Sequence, residues 1–124
     1  MFPRSLKTEL HYIRHRRKNP SGCEYCTAYD DGTSQLVGTH GSMMILKAKF
    51  PYARWDNWKV GVHLLIIPIR HTTSFASLDD SESVDMMHII KEYEADGYSF
   101  YIRAATNRSR TMAHVHGHLI KSKA

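Results

Sequence analysis

Residues 62–69, VHLLIIPI, are apolar at almost every position, interrupted only by His63 and by Pro68 near the end. A strand with one wet face alternates apolar and polar side chains, because successive residues point to opposite sides of a sheet. A strand that is apolar throughout is buried on both faces. The run is also far short of the ~20 apolar residues that a membrane-spanning helix requires. Pro68 ends it, since a ladder cannot use a residue that has no N–H. The segment therefore reads as the centre of a sheet, and the rest of the chain has to supply strands beside it and cover for both faces.

Those neighbours are recognisable. Residues 34–40, SQLVGTH, and 43–50, MMILKAKF, read as two strands joined at Gly41 and Ser42, a hairpin. Residues 98–107, YSFYIRAATN, have the aromatic and β-branched content of another strand, and NRSRT turns the chain into a last one at 114–120, HVHGHLI. Between them, SLDDSES offers Asp79 or Ser81 as a helix N-cap, with Glu82 placed for a capping box. Met86, Ile89, Ile90 and Tyr93 make the apolar stripe of a helix running to about residue 95, and Gly97 is a natural stop. A shorter helix is expected over residues 5–17, where Leu6, Leu10 and Ile13 share one side, with Asn19, Pro20, Ser21 and Gly22 ending it. FPYARWDNWKVG, residues 50–61, reads as an aromatic loop that either lids the core or lines a pocket. The predicted fold is α+β: an antiparallel sheet of about five strands, one long helix packed on it and a short N-terminal helix.

At 124 residues the chain is one domain's worth. It divides into a basic N-terminal segment, 1–20, and a domain over 21–124. MFPRSLKTEL lacks the apolar run of a secretory signal, so a cytoplasmic protein is expected, with no membrane association. The net charge of +5 suggests an anionic partner, either nucleotide phosphate, nucleic acid or an acidic surface. Much of this charge lies in residues 11–20, where Arg14, Arg16, Arg17 and Lys18 accompany His11 and His15. Such a run is most often a solvated face, and contact with nucleic acid is the alternative.

The last strand carries His114, His116 and His118 at alternate positions. On one strand these rings share a face at ~7 Å intervals. Gly117 lies between two of them on the other face, and a glycine there often marks a close approach. Two chemistries use such a row. One is metal binding by neutral imidazole. The other is nucleophilic attack by one ring while its neighbours fix its tautomer and hold a phosphate. Cys23 and Cys26 are the chain's two cysteines, spaced as GCEYC. In a reducing compartment that spacing favours metal binding or redox exchange over a structural disulfide, and a metal comes first because a glycine precedes the pair and no apolar strand leads into it. A closed structural zinc site needs two further ligands, for which His71 and one of the three histidines would serve.

GCEYC, HLLIIPIRH and HVHGHLI, in this order and at these separations, resemble the histidine triad (HIT) superfamily of nucleotide hydrolases and transferases, over about residues 23–120. The paired cysteines are similar to those of its zinc-containing branch. The resemblance implies that His116 is a nucleophile forming a nucleotidyl-histidine intermediate at the α-phosphorus of a dinucleoside polyphosphate or nucleoside phosphoramidate. Hydrolysis then releases a nucleoside monophosphate. It implies that His118 and His63 lie at the phosphates, and that His114 joins Cys23, Cys26 and His71 around one structural zinc per chain. Members are commonly homodimers.

Two segments depart from the family pattern. The loop before the histidines has no glycine, and Arg110 stands where a glutamine is expected, beside Thr111 and after Asn107. These three are the expected phosphate contacts, since an arginine offers anions a charged fork. The nucleoside is expected against Trp55 and Trp58, with Asp56 and Asn57 nearby for the ribose. Three alternatives stand beside the hydrolase: a nucleotidyltransferase, an aprataxin-like protein binding or processing nucleic-acid ends, and an enzyme whose metal-bound water is the nucleophile. A glutamine usually replaces the third histidine in the uridylyltransferase branch, so His118 favours hydrolysis.

Overall fold

A computed structural model describes residues 5–8, 10, 23–32, 35–110 and 112–123. Its elements are α1 (Glu24–Asp31), β1 (Leu36–His40), β2 (Met43–Lys47), β3 (Arg54–Trp55), β4 (Trp58–Pro68), a 3-10 turn (Phe75–Ser77), α2 (Asp80–Ala95), β5 (Ser99–Ile102) and β6 (Gly117–Ser122). The strands pair in the order β1-β2-β4-β6-β5, with β3 attached to β4 outside this path. All pairings are antiparallel. The expected helix over 5–17 is described only at its start, where residues 6–8 and 10 are helical. The basic residues 11–20 lie outside the described residues, and so does Thr111. Among the described residues, no helix is long and apolar enough to cross a membrane.

The central position of β4 follows from its side chains. Met43, Ile45, Leu64, Ile66 and Leu119 face one side, where Met86 and Ile89 of α2 complete a buried cluster. Met44, Leu46, Leu65 and Ile67 face the other side, and Tyr25 and Ala28 of α1 pack on them. Two covered faces are why residues 64–67 are uniformly apolar and buried. Burying one such side chain stabilises by ~1.5–3 kcal/mol, so the two clusters hold the sheet to its helices.

The sequence reading of 50–61 as a loop is corrected. Arg54 pairs with Lys59 and Trp55 with Trp58, so the segment is a tight hairpin. Asp56 and Asn57 occupy the left-handed region, at φ 51° and 68°. Two consecutive left-handed residues match the strands' right-handed twist, and Asp and Asn adopt that conformation more readily than other non-glycine residues. β4 consequently starts at Trp58 and is longer than the apolar run alone suggests. The other strands are shorter than expected: residues 48–50, 103–107 and 114–116 lie outside β2, β5 and β6.

α2 begins as its sequence suggests. Asp79 accepts from the Glu82 main-chain N–H at 2.7 Å, and the Glu82 carboxylate accepts from the Asp79 N–H at 3.0 Å. Arg70 joins this cap through two hydrogen bonds to Glu82, at 2.7 and 3.2 Å, and one to the Ser77 carbonyl at 2.8 Å. The chain leaving β4 is thereby tied to α2 immediately before His71. The Arg70 guanidinium, with help from the Asp79 N–H, holds the Glu82 carboxyl below its ordinary value against the opposing effect of burial. A carboxylate depressed on folding stabilises the protein above its unfolded pKa, ~4.3 for glutamate, and that contribution is lost as pH falls through the lower folded value. Thermal melts of Glu82→Gln across the acid range should therefore decline less steeply than wild type below about pH 5. Equal slopes would show that the ion pair carries none of the acid sensitivity.

Gly117 opens β6 where Phe100 and Ile66 meet. A Cβ there would lie 2.5 and 2.9 Å from two Phe100 ring atoms and 3.0 Å from Ile66 Cγ2. The close approach inferred from the sequence is thus a packed aromatic ring. Gly117→Ala is expected to cost roughly 1–3 kcal/mol, as overpacking does. Denaturant melts of Gly117→Ala, Phe100→Leu and the double variant should show coupling, because the smaller leucine relieves the clash. Strict additivity would count against it.

Candidate active site and metal centre

The cross-strand register selects the face on which the histidines meet. His118 pairs with Leu65 of β4 and with Tyr101 of β5, and directly opposed residues share a face. His63, two residues before Leu65, points the same way. This is the face covered by α1, opposite α2. Only His118 belongs to β6. His114 and His116 precede the strand, and Val115 donates its N–H to the Thr72 carbonyl at 2.8 Å instead of entering the ladder. The evenly spaced row expected on one strand is therefore not formed. Each ring has a separate setting.

His114 is buried beneath α1. Its Nε2–H donates to the Pro68 carbonyl at 2.7 Å, which leaves the Nδ1 lone pair facing Cys23 Sγ at 3.3 Å and Cys26 Sγ at 3.5 Å. His71 Nδ1 lies 3.4 Å from Cys26 Sγ. The four ligand atoms of Cys23, Cys26, His71 and His114 fall within 4.8 Å of one another. A tetrahedral ion with metal–sulfur and metal–nitrogen bonds near ~2.3 and ~2.05 Å separates its S and N ligands by ~3.5 Å, so these spacings suit one. A carbonyl that fixes the tautomer of a ligating histidine is a common feature of metal sites. Burial, then Cys23, push the Cys26 thiol up to about 11. A thiol raised in this way resists ionisation, and a bound cation reverses that preference. Burial also lowers His114 from its ordinary value, favouring the neutral ring that a metal needs. These four residues can hold a metal ion.

Cys23 is the N-cap residue of α1 and Cys26 lies in its first turn. Between them Tyr25 projects onto the histidines, edge-on to His114 at 5.7 Å and to His116 at 5.3 Å between ring centroids.

His116 sits between the metal cluster and His118, whose ring centroid is 5.2 Å away. Its Nδ1–H donates to the His114 carbonyl at 3.2 Å, so Nε2 carries the lone pair. Burial pushes its pKa down to about 4, with the positive charges of Arg110 and Arg103 adding to the effect against that hydrogen bond. The ring is therefore neutral near pH 7, as a nitrogen nucleophile must be.

His118 is set by a chain of hydrogen bonds that begins at the backbone. Tyr52 donates its N–H to His63 Nδ1 at 3.1 Å, and His63 Nε2 lies 2.9 Å from His118 Nδ1. With Nδ1 accepting, His63 carries its proton on Nε2 and donates it to His118 Nδ1, which places the His118 proton on Nε2. These tautomers are assigned from the network of partners. His118 Nε2 in turn lies 3.3 Å from Arg103 Nη1, which donates to the Tyr52 hydroxyl at 2.6 Å.

The other expected contacts are distributed unequally. Trp55 stacks on Tyr52 at 5.6 Å and tilts against Tyr101 at 4.7 Å, and both tyrosines flank His118. Trp58 is 67% exposed at the outer end of β4, away from this aromatic group. Asn107 accepts from the Ser109 N–H at 2.8 Å through its side chain, a local turn. Arg110 donates to the main-chain carbonyls of Met112 and Ala113, so part of its guanidinium braces the loop that leads to His114. Arg103 and Tyr25 were not singled out from the sequence. Arg103 had a signal, since alternation along YSFYIR puts it on the face of Tyr101.

The sequence model of the HIT domain matches residues 31–124. Among solved structures, the chain is similar to a HIT family hydrolase from Legionella pneumophila, at 20% identity and TM-score 0.61 over 83% of this chain and 95% of that one. A HIT family hydrolase from Clostridium thermocellum superposes with TM-score 0.62 at 19% identity, covering 84% and 92%. A histidine triad nucleotide-binding protein from Candida albicans does so with TM-score 0.65 at 20% identity, covering 82% and 76%. No curated protein sequence matches the chain significantly. At these identities the structural likeness establishes the fold.

Proposed function

Since the chain belongs to the HIT family, with the family model spanning residues 31–124, we propose that it is a nucleotide hydrolase working through a covalent nucleotidyl-histidine at His116. The observation that carries this reading is the state of His116. Its Nδ1–H is committed to the His114 carbonyl, and its neutral ring offers Nε2 as the attacking atom. The solved relatives named as HIT family hydrolases support the reaction class, and the Candida albicans protein named as nucleotide-binding supports the substrate class.

In the first step the Nε2 lone pair attacks the α-phosphorus of a dinucleoside polyphosphate or nucleoside phosphoramidate. An N–P bond forms, the bond from phosphorus to the leaving group breaks, and the leaving group departs with the bonding electron pair and gains a proton. In the second step water attacks the same phosphorus and gives up a proton. The P–N bond breaks, its electrons return to Nε2, and a nucleoside monophosphate is released. Dividing one difficult displacement into two easier ones is the benefit of covalent catalysis. His118 and His63 lie on the phosphate side, and Trp55 with Tyr52 and Tyr101 offers an aromatic surface to the nucleoside.

Cys23, Cys26, His71 and His114 suit one structural zinc per chain, since a two-thiol, two-imidazole set closes a tetrahedral site with protein ligands alone. Zinc bound there would tie α1 to the ends of β4 and β6. Brief incubation with mixed dinucleoside polyphosphates, acid-free quenching and peptide mass spectrometry should find a nucleotide adduct on His116. Turnover with no adduct on any histidine under single-turnover conditions would favour direct attack by water.

A further inference from the structure

We propose that Arg103 is a phosphoryl-contacting residue, which with His118 forms a two-donor clamp for one non-bridging oxygen of the bound phosphoryl group. This rests on reading the histidine face as a nucleotide site. The starting observation is that Arg103 Nη1 and His118 Nε2 lie 3.3 Å apart. Arginine has donors only. His118 would accept from Arg103 only with its proton on Nδ1, and that proton would then have to be received by His63 Nε2. His63 already accepts at Nδ1 from the Tyr52 N–H at 3.1 Å, so it would need two bare nitrogens, an imidazolate. A main-chain N–H cannot change its role. The backbone of Tyr52 therefore dictates, through two rings, that His118 turns a donor toward Arg103.

Neither donor can serve the other, but one anionic oxygen can serve both. An oxygen about 2.8 Å from each nitrogen, the length of a charge-assisted hydrogen bond, fits over a pair spaced 3.3 Å apart. The guanidinium is already held for this purpose. Nη1 donates to the Tyr52 hydroxyl at 2.6 Å, and the group lies 5.7 and 5.4 Å from the ring centroids of Tyr52 and Tyr101. Its ion-pair partner is not a carboxylate among the described residues, where Arg70 pairs with Glu82 and Lys121 with Asp96. His116, the nucleophile, is 5.2 Å from His118 between ring centroids, so the clamp and the attacking nitrogen address one phosphorus. Arg110, by contrast, uses donors on the carbonyls of its own loop.

The test uses the full chain and inorganic phosphate. Long-range proton–nitrogen NMR of the histidine rings should show the Nε2–H form for both His63 and His118. Phosphate should shift the His118 ring nitrogens in wild type, and Arg103→Gln should weaken that binding at least about 10-fold, as expected for a lost charge-assisted donor. Arg103→Lys keeps the charge and should fall between the two, and it replaces Arg103→Gln if that variant does not fold. His116→Asn should stop turnover yet still show the phosphate-induced shift of the His118 ring nitrogens, so loss of the covalent reading and loss of the clamp are separately visible. In turnover, Arg103→Gln should lower kcat about 10²-fold or more, the usual loss for one donor to a developing anion. The clamp is overturned if His118 carries its proton on Nδ1, if phosphate leaves the His118 ring unchanged in wild type, or if Arg103→Gln binds phosphate as tightly as wild type.

Discussion

Turnover by the His116→Asn variant is expected to fall by at least about 10⁴-fold, because removal of a covalent nucleophile leaves only binding and electrostatic assistance. Asparagine is the informative replacement. It keeps a polar group beside the His114 carbonyl, which accepts from His116 Nδ1–H at 3.2 Å, and places no large void under Tyr25. Metal content and thermal midpoint should be unchanged, since the four candidate ligands are Cys23, Cys26, His71 and His114. Activity near the wild-type level in a well-folded His116→Asn protein would refute the covalent route. An equal loss of activity and of bound metal would show that His116 supports the metal cluster instead.

Removal of the metal should have the second large effect, on stability first. Cys26→Ser takes one thiolate from the cluster, and a strong chelator challenges all four ligands at once. An ion bound at 1,000 times its dissociation constant stabilises by about 4 kcal/mol, which for a domain of this size corresponds to roughly 15 °C in thermal midpoint. Elemental analysis should find one zinc per wild-type chain and a clear deficit in Cys26→Ser. Activity should decline in parallel with the midpoint, because His114 stands two residues before the proposed nucleophile and Tyr25, between the cysteines, packs against both rings. A chelator that stops turnover at once while leaving the midpoint unchanged would place the metal in the reaction itself.

The hydrophobic pattern made much of the fold legible. The uniform apolar run of residues 62–69 marked the central strand because both faces of that strand are covered, by α1 and by α2. The cap of α2 was readable because its hydrogen bonds link residues three apart in the chain. The hairpin at Trp55 and Trp58 was missed because its turn uses Asp56 and Asn57, not the glycine that most often signals one. The start of α1 at Cys23 was missed because its partners, the sheet face and the two histidines, are distant in sequence.

The candidate site divides along the same line. The sequence by itself brought out the three alternating histidines, the paired cysteines and His71, since residue type and spacing are local properties of the chain. Only the tertiary structure made the histidines unequal, because each ring's proton is assigned by a group the sequence does not place beside it. The Pro68 carbonyl turns the His114 lone pair toward the cysteines, and the Tyr52 N–H acts through His63 to make His118 a donor. The His114 carbonyl frees His116 Nε2, and Arg103 reaches the histidine face only because β5 pairs with β6. Imidazole can donate or accept at either nitrogen, so its chemistry is settled by its partners, and the fold supplies the partners.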